Sequence, residues 1–521
     1  MPLPSGGDFK PILEYYRRYL KDPNSVPIDW AIYFEKSQHS NKEDEKIAYS
    51  EAKARSLLDT IKTKFRQYGH FSAKTDPLCR KNISTHLEIK EIISTVLSDI
   101  EFQKDRGNGK NLEIEKTIKK FEYLYSGSVG PEFHHINDPK TRDWLYTTYE
   151  HIRGERLDLR DKKYAFFDLI KANEFEKFLR VKYPTKKKFG CEGAETIVPL
   201  IQMLLRKASD NNFKEIIIGG MHRGRLNIIS NVARKRNEQI FAELKDKNFF
   251  TENKYLTGDV PYHLGHSNIL NFNKNKINVS VSPHPSHLLT VAAYSMGKAR
   301  AKIERSNRMD KILCIQMHTD AAFSGQGLAS ELLQLSKLSG YSVNGSIHVV
   351  VNNRIGFTTT EEEGRSSYYC TDIAKMIEAP ILHVNGDDLD AIIQSASLAI
   401  MYRKKFKSDI FIDLVCYRKY GHNELDEPRF TDPLLYNKID NKVSSTDQCQ
   451  EKLQGDFNAK KFRKIISRLY SRDLNRSFAK SDSYNSNEGN WLLKDWKKIS
   501  FATEVDINKR IATGISEAKL K

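Results

Sequence analysis

Three features of the 521-residue sequence predict an α/β protein in which a parallel sheet is preceded by a small helical domain and an amino-terminal arm. The first is a strand-helix-strand unit. Residues 311–317 (KILCIQM) form a short apolar run suited to a buried strand, residues 328–338 (LASELLQLSKL) place apolar side chains at helical spacing, and residues 346–351 (SIHVVV) form a second apolar strand. Its length suits a right-handed parallel crossover. The second is a set of further runs of the same kind: 214–219 (KEIIIG), a strand ending at 383–387 (HVNGD), and 411–417 (FIDLVCY). The third is helical apolar spacing over 48–67, 87–100 and 112–124, ahead of all these runs. The expected boundaries are an arm over 1–46, a helical domain over 47–125, the α/β domain over 126–440 and a helical or linker-like tail over 441–521.

The first unit also predicts a site. Parallel neighbours bring Asp320 and Asn353 side by side at the carboxyl edge of the sheet, where open α/β sheets bind ligands. One carboxylate, one amide oxygen and the backbone carbonyl of Ile355, completed by phosphate oxygens and water, suit Mg²⁺, a hard cation that prefers six oxygens. Ser324-Gly325-Gln326-Gly327 turns the backbone, and the helix amino end after Gly327 offers N–H groups to an anion. The same spacing also suits a glycine-containing turn with a buried Asp cap. After 214–219, the turn Gly220-Met221-His222-Arg223-Gly224-Arg225 aims the planar donor fork of Arg223 into the same crevice.

Composition narrows the alternatives. With 39% hydrophobic and 29% charged residues the chain is of the globular class, long enough for two to four domains. No run of about 18 apolar residues exists to span a membrane. The first residues lack the apolar core of a secretory signal, so a bacterial cytoplasm or a mitochondrial matrix is expected. The six cysteines are scattered without CxxC pairing, which predicts reduced thiols and neither a zinc site nor a disulfide framework. The formal charge of +17 raises nucleic acid as a partner. No aromatic-basic interleaving or recognition helix accompanies Lys186-Lys187-Lys188, and no nucleic-acid partner is expected.

The motifs NNRIGFTT (352–359), SSYYCTDIAKMIEAPILHVNGDD (366–388), FIDLVCYRKYGHNELDEP (411–428) and HRGRLN (222–227) resemble the first, thiamine diphosphate-dependent component of the 2-oxoglutarate dehydrogenase complex. The resemblance runs from about residue 11 to the mid-400s. It implies thiamine diphosphate and Mg²⁺ as cofactors, with Asp320, Asn353 and Ile355 as metal ligands. Arg223, Ser286, Leu288, Asp320 and Asn353 are implied to contact the cofactor. In TGDVPYHLG (257–265) and SPHPSHLLTV (282–291), His263 and His287 correspond to histidines at the oxo-acid site. An imidazole there can pair with a carboxylate or move a proton near neutrality. His70 either reaches a cofactor phosphate or packs in a helix-end turn, and Glu192 and Glu195 either order the site entrance or cap the following helix. The family's NPSHLE appears here with His284 for Asn and Leu289 for Glu, and Thr319 stands where it has Gly. A β-branched residue at 319 is costly if the backbone needs positive φ, so weakened cofactor affinity is expected.

The resemblance further implies oxidative decarboxylation of 2-oxoglutarate, or alternatively 2-oxoadipate, with acyl transfer to the lipoyl group of a dihydrolipoyl acyltransferase partner. Residues 11–36 are the part implied to engage that partner, ahead of a charged linker at 41–46. In such enzymes the pyrimidine-gripping half, with its activating Glu, lies further along the chain. No second strand-helix array follows residue 440, so a complementary pyrimidine-binding half on a separate polypeptide is expected, in a homodimer or heterotetramer. The alternatives are an inactive truncated product and a non-catalytic assembly protein.

Overall fold

Eight strands in the order β1-β9-β10-β6-β5-β2-β4-β3 form the sheet of the computed structural model, which describes residues 10–80, 86–102, 108–245, 259–272, 275–306, 309–452 and 458–479. The strands are β1 (Val129–Glu132), β2 (Glu215–Gly219), β3 (His266–Phe272), β4 (Asn275–Val281), β5 (Ile312–Thr319), β6 (Ser346–Asn352), β9 (Ile381–Asn385) and β10 (Ile410–Val415). A small hairpin of β7 (Ile355–Gly356) and β8 (Thr359–Thr360) stands apart. The six central strands run parallel, and β1 and β3 close the two margins antiparallel. The fold class is therefore α/β with a mostly parallel sheet, as the apolar runs predict.

The strand-helix-strand unit is present, with shifted edges. β5 continues to Thr319, and a helical turn, Asp320–Gly325, begins directly at the strand end, ahead of the helix Leu328–Leu335. Every residue of β6 is buried, which matches the apolar run at 349–351 within it. Fully burying each Val contributes roughly 1.5–3 kcal/mol. Leu289, Phe323, Leu333, Val350 and Phe411 share one core cluster, and Ile217, Met296, Cys314 and Leu332 share another. The helices Ile197–Asp210 and Leu389–Phe406 pack on each other and on the sheet.

Two compact units divide the chain: residues 1–64 with 88–120, and residues 65–87 with 121–521. In the first, the helix Lys10–Lys21 and the start of Ile28–Tyr68 join through rings, with Tyr16 and Tyr19 at 5.1 and 5.5 Å from Phe34. Phe34 is buried, so these aromatics form a small core of their own. The linker expected at 41–46 is not a break, because the helix Ile28–Tyr68 runs straight through it. The segment holds no Gly or Pro, and its Lys and Glu residues are strong helix formers.

The polar carboxyl-terminal stretch contains a packed element, the helix Ala459–Ala479. Tyr470 inserts between Phe175 and Phe178, with both ring centroids 5.6 Å away. The end of the expected tail, residues 480–521, together with residues 103–107 and with Thr257 and Gly258 of the motif at 257–265, lies outside the described residues. Among the described residues no helix is long and apolar enough to cross a membrane.

Candidate diphosphate and metal site

Parallel register decides what meets at the carboxyl edge. Thr319 pairs with Val351, so Asp320 and Asn353, each just past the end of its strand, emerge from neighbouring strands at the same edge of the sheet. They line a cavity of about 430 Å³ together with His222 and Arg223 after β2, Leu288 after β4, Ile355 to Phe357 after β6, Arg365, and Arg418 and His422 after β10. Five expected site residues, Arg223, Leu288, Asp320, Asn353 and Ile355, thus share one space. Gly327 is not among the lining residues, which run Asp320 to Ala322, Ser324 and Gln326. The backbone beside the cavity belongs to the turn starting at Asp320, not to the helix after Gly327.

Asp320 is 2% exposed. Burial pushes its carboxyl up to about 7, against the pull of Arg365, whose guanidinium is itself held by Glu361 at 2.8 Å. A buried carboxylate with so little compensation is costly to ionise unless a cation pairs with it. The Asn353 amide oxygen accepts from the Ile355 N–H at 3.1 Å and keeps a second lone pair. Asp76, Arg80 and Arg354 brace this turn: Arg80 donates to the Asn353 carbonyl at 3.1 Å, and Asp76 receives Arg80 and Arg354 at 2.9 and 3.0 Å. Burial raises the Asp76 carboxyl, but Arg80 outweighs it and holds the group at about 2. Gly356 lets the β7 backbone approach the Asp320 turn, since a Cβ there would stand 2.8 Å from that of Ala321.

Arg223 is buried and donates to the carbonyls of Gly190 and His422, both at 3.0 Å, so its fork is already oriented. Arg225, two residues on and fully buried, donates to the carbonyls of Leu264 at 2.6 Å and Ser282. Burial brings the Arg225 guanidinium down to about 9. Burial, with Arg223 and His422 adding to it, lowers His222 to about 3, so its imidazole is neutral at physiological pH.

The other expected residues gather beside this cavity, not in its lining. His263 Nδ1 lies 3.1 and 3.2 Å from the two Asp259 oxygens, and its Nε2 lies 2.8 Å from Ser286 Oγ. Ser286 and His287 are exposed. A run of rings, Phe189–Tyr262 at 5.0 Å and Tyr262–His263 at 4.9 Å, connects His263 to His222, which sits 4.7 Å from Phe189.

The unusual residues prove compatible with their backbone. Thr319 has φ −93° and ψ 146°, ordinary extended geometry in which a β-branch is at home. The positive φ feared there is absent. His284 is left-handed at φ 57°, where Asn, Asp and His are the enriched non-glycine residues. Leu289 is 2% exposed and fills the core beside Phe323. His70 binds Tyr369 Oη at 3.0 Å and is not in the cavity lining, which favours packing over phosphate contact. The helix Ile197–Asp210 has no side-chain cap bond, and the half-buried Glu192 and Glu195 are raised to about 8 and about 7, chiefly by burial.

Sequence reasoning missed a buried ion network behind the site. His383 lies 2.8 Å from Asp413 and 3.3 Å from Glu132, and Lys375 meets Glu132 at 2.5 Å. Burial alone would lower His383, but Asp413 and Glu132 together raise it to about 9. The signal was available: Asp413 is a charge inside the apolar run FIDLVCY, and it pairs in register with His383.

The profile described as "Dehydrogenase E1 component" matches residues 168–488, and that described as "2-oxoglutarate dehydrogenase N-terminus" matches residues 12–41. The 2-oxoglutarate dehydrogenase E1 component of Rickettsia conorii is 33% identical over 99% of this chain and 58% of its own length. Those of Brucella anthropi and Brucella canis are each 36% identical over 88% of this chain, and 48% and 47% of their own. The chain spans about half the length of the curated relatives it matches. With the first profile covering well over half of its residues, the chain belongs to the dehydrogenase E1 component family.

Proposed function

We propose that this chain is the diphosphate- and metal-binding part of a thiamine diphosphate-dependent 2-oxoglutarate dehydrogenase, completed by a pyrimidine-binding half and passing its acyl group to the lipoyl group of a dihydrolipoyl acyltransferase. The observation that carries the reading is the buried Asp320 carboxylate beside Asn353 in the cavity that Arg223 and Leu288 also line. The donor set fits the implied group: one carboxylate, one amide oxygen and the Ile355 carbonyl are hard oxygens for Mg²⁺, and Arg223 with the turn amides suits a diphosphate. When bound, thiamine diphosphate supplies the carbon nucleophile for the 2-oxo carbon and accepts the electron pair left as carbon dioxide departs.

The residues of the chain prepare that chemistry. Asp320, ionised once a cation displaces its proton, holds the metal. Leu288 gives the cavity an apolar wall, and the neutral His222 imidazole can exchange a proton at its edge. His263, steadied by Asp259 and Ser286, stands at the mouth with His287, where a substrate carboxylate would be met. The extended backbone of Thr319, the histidine's tolerance of the left-handed φ at 284 and the core packing of Leu289 support a working site over a decayed one.

Titration calorimetry with Mg²⁺ and inorganic diphosphate tests the first part. The chain binds the pair, and Asp320→Ala weakens binding by about 100-fold, as loss of a charged ligand does; equal binding by both proteins rejects the site. Turnover of 2-oxoglutarate, and more slowly 2-oxoadipate, on adding a pyrimidine-half polypeptide, Mg²⁺ and thiamine diphosphate tests the second.

A further inference from the structure

Beside the cavity, Asp259, His263 and His284 each offer one ligand atom, and these atoms all lie within 4.8 Å of one another. His263 Nδ1 and His284 Nδ1 lie 3.2 and 3.4 Å from the same carboxylate oxygen, Asp259 Oδ2. Ligand atoms around a tetrahedral ion at about 2.0–2.1 Å stand about 3.3 Å apart, so the two separations are those of a preformed coordination edge. Hydrogen-bonding alone does not call for His284 here. His263 already gives Asp259 a partner, yet a second imidazole is brought to the same carboxylate by a backbone held at φ 57°.

The loops are locked in this relation. The His284 N–H donates to the His263 carbonyl at 2.7 Å, and Arg225 ties the carbonyls of Leu264 and Ser282 together from beneath. His263 also has the outer partner that metal-binding histidines need, since its Nε2 lies 2.8 Å from Ser286 Oγ. We propose that Asp259, His263 and His284 form a binding site for a zinc-class divalent transition metal outside the lining of the Mg²⁺–diphosphate cavity, with solvent in the remaining position, and that its occupation takes the His263 ring out of the substrate-facing role proposed above.

Two imidazole nitrogens and one carboxylate oxygen select zinc, cobalt or iron over magnesium. On binding, His263 releases the Nδ1 proton that faces Asp259 and carries its ring proton on Nε2, where it donates to Ser286 Oγ. His284 likewise binds as neutral imidazole. Partial exposure of the three side chains, 35%, 23% and 57%, leaves the site open to ions from solution.

The test is titration of the full chain with Co²⁺, read by its visible absorption, and with Zn²⁺ by calorimetry. One ion binds with the intense low-symmetry cobalt spectrum of four- or five-coordination, and Zn²⁺ displaces it. His284→Asn keeps a residue that accepts the left-handed backbone; it weakens Zn²⁺ by about 100-fold, and Ser286→Ala by about tenfold, with circular dichroism unchanged. A weak octahedral cobalt spectrum, or equal Zn²⁺ affinity in wild type and His284→Asn, overturns the proposal. Neither readout uses thiamine diphosphate or turnover, so failure here is separable from failure of the proposed function.

Discussion

The cavity at the carboxyl edge and the histidine loops at its mouth lie side by side but are built differently. Asp320 and Asn353 are placed by the register of two fully buried parallel strands, β5 and β6. His263, His284 and Ser286 are placed by short turns, two of whose residues, His284 and Leu288, hold positive φ. Position in the first region follows from strand pairing, which tolerates little slippage. In the second it follows from side-chain contacts and local strain.

The largest expected effect tests how rigid the strand-built region is. Asp413→Asn takes from the buried His383 one of its two carboxylate partners and costs about 3–5 kcal/mol in urea unfolding. The His383 imidazole is raised in the folded chain, so its contribution is complete below about pH 6.5 and is lost as pH rises through about 9. Wild type therefore weakens across that window and Asp413→Asn does so less; parallel profiles would remove the network from the account.

Asp320 gives the next effect, with the opposite chemistry. Its carboxyl is raised from 3.8 to about 7, so the native chain keeps a proton that the unfolded chain has lost. Without metal, stability falls as pH rises from about 4 through about 7, and this slope disappears in Asp320→Asn. Binding of Mg²⁺ with diphosphate strengthens over the same window, because the cation needs the ionised group. A pH-independent affinity would place the metal elsewhere.

Smaller effects sharpen the contrast. Gly356→Ala forces the β7 turn from the Ala321 side chain and costs about 1–3 kcal/mol, together with Mg²⁺ affinity. In the loop region, Leu288→Gly relieves a φ of 47° that Leu288→Ala retains. Thermal melting should find the glycine variant about 1 kcal/mol the more stable of the two; the reverse order would mean that position 288 is unstrained.

The same contrast explains what the sequence revealed. The unit carrying Asp320 and Asn353 was legible because apolar runs, turn residues and crossover length all agree on one arrangement, and Arg223 was legible as the residue after a strand. The helix start was misjudged because Asp320 begins its own turn, which the glycines at 325 and 327 obscured. Arg418 and His422 carry no site signal in the sequence, since they enter the cavity only when the loop after β10 folds over it. The expected meeting of His263 and His287 with Asp320 in one space depended on turns whose left-handed residues leave no periodic mark. The charged stretch at 41–46 looked like a linker, although nothing in it breaks a helix.

Arg225 has a consequence for how the two regions move. It shares a tight turn with Arg223, so the guanidinium that borders the cavity and the one that clamps the histidine loops ride on the same few residues. Neither neighbourhood can shift without dragging that common anchor, and a disturbance of one loop is transmitted mechanically to the other compartment. Replacing Arg225 by Met should therefore blur both at once, visible as faster amide exchange around His263 and around Asn353 in the same experiment.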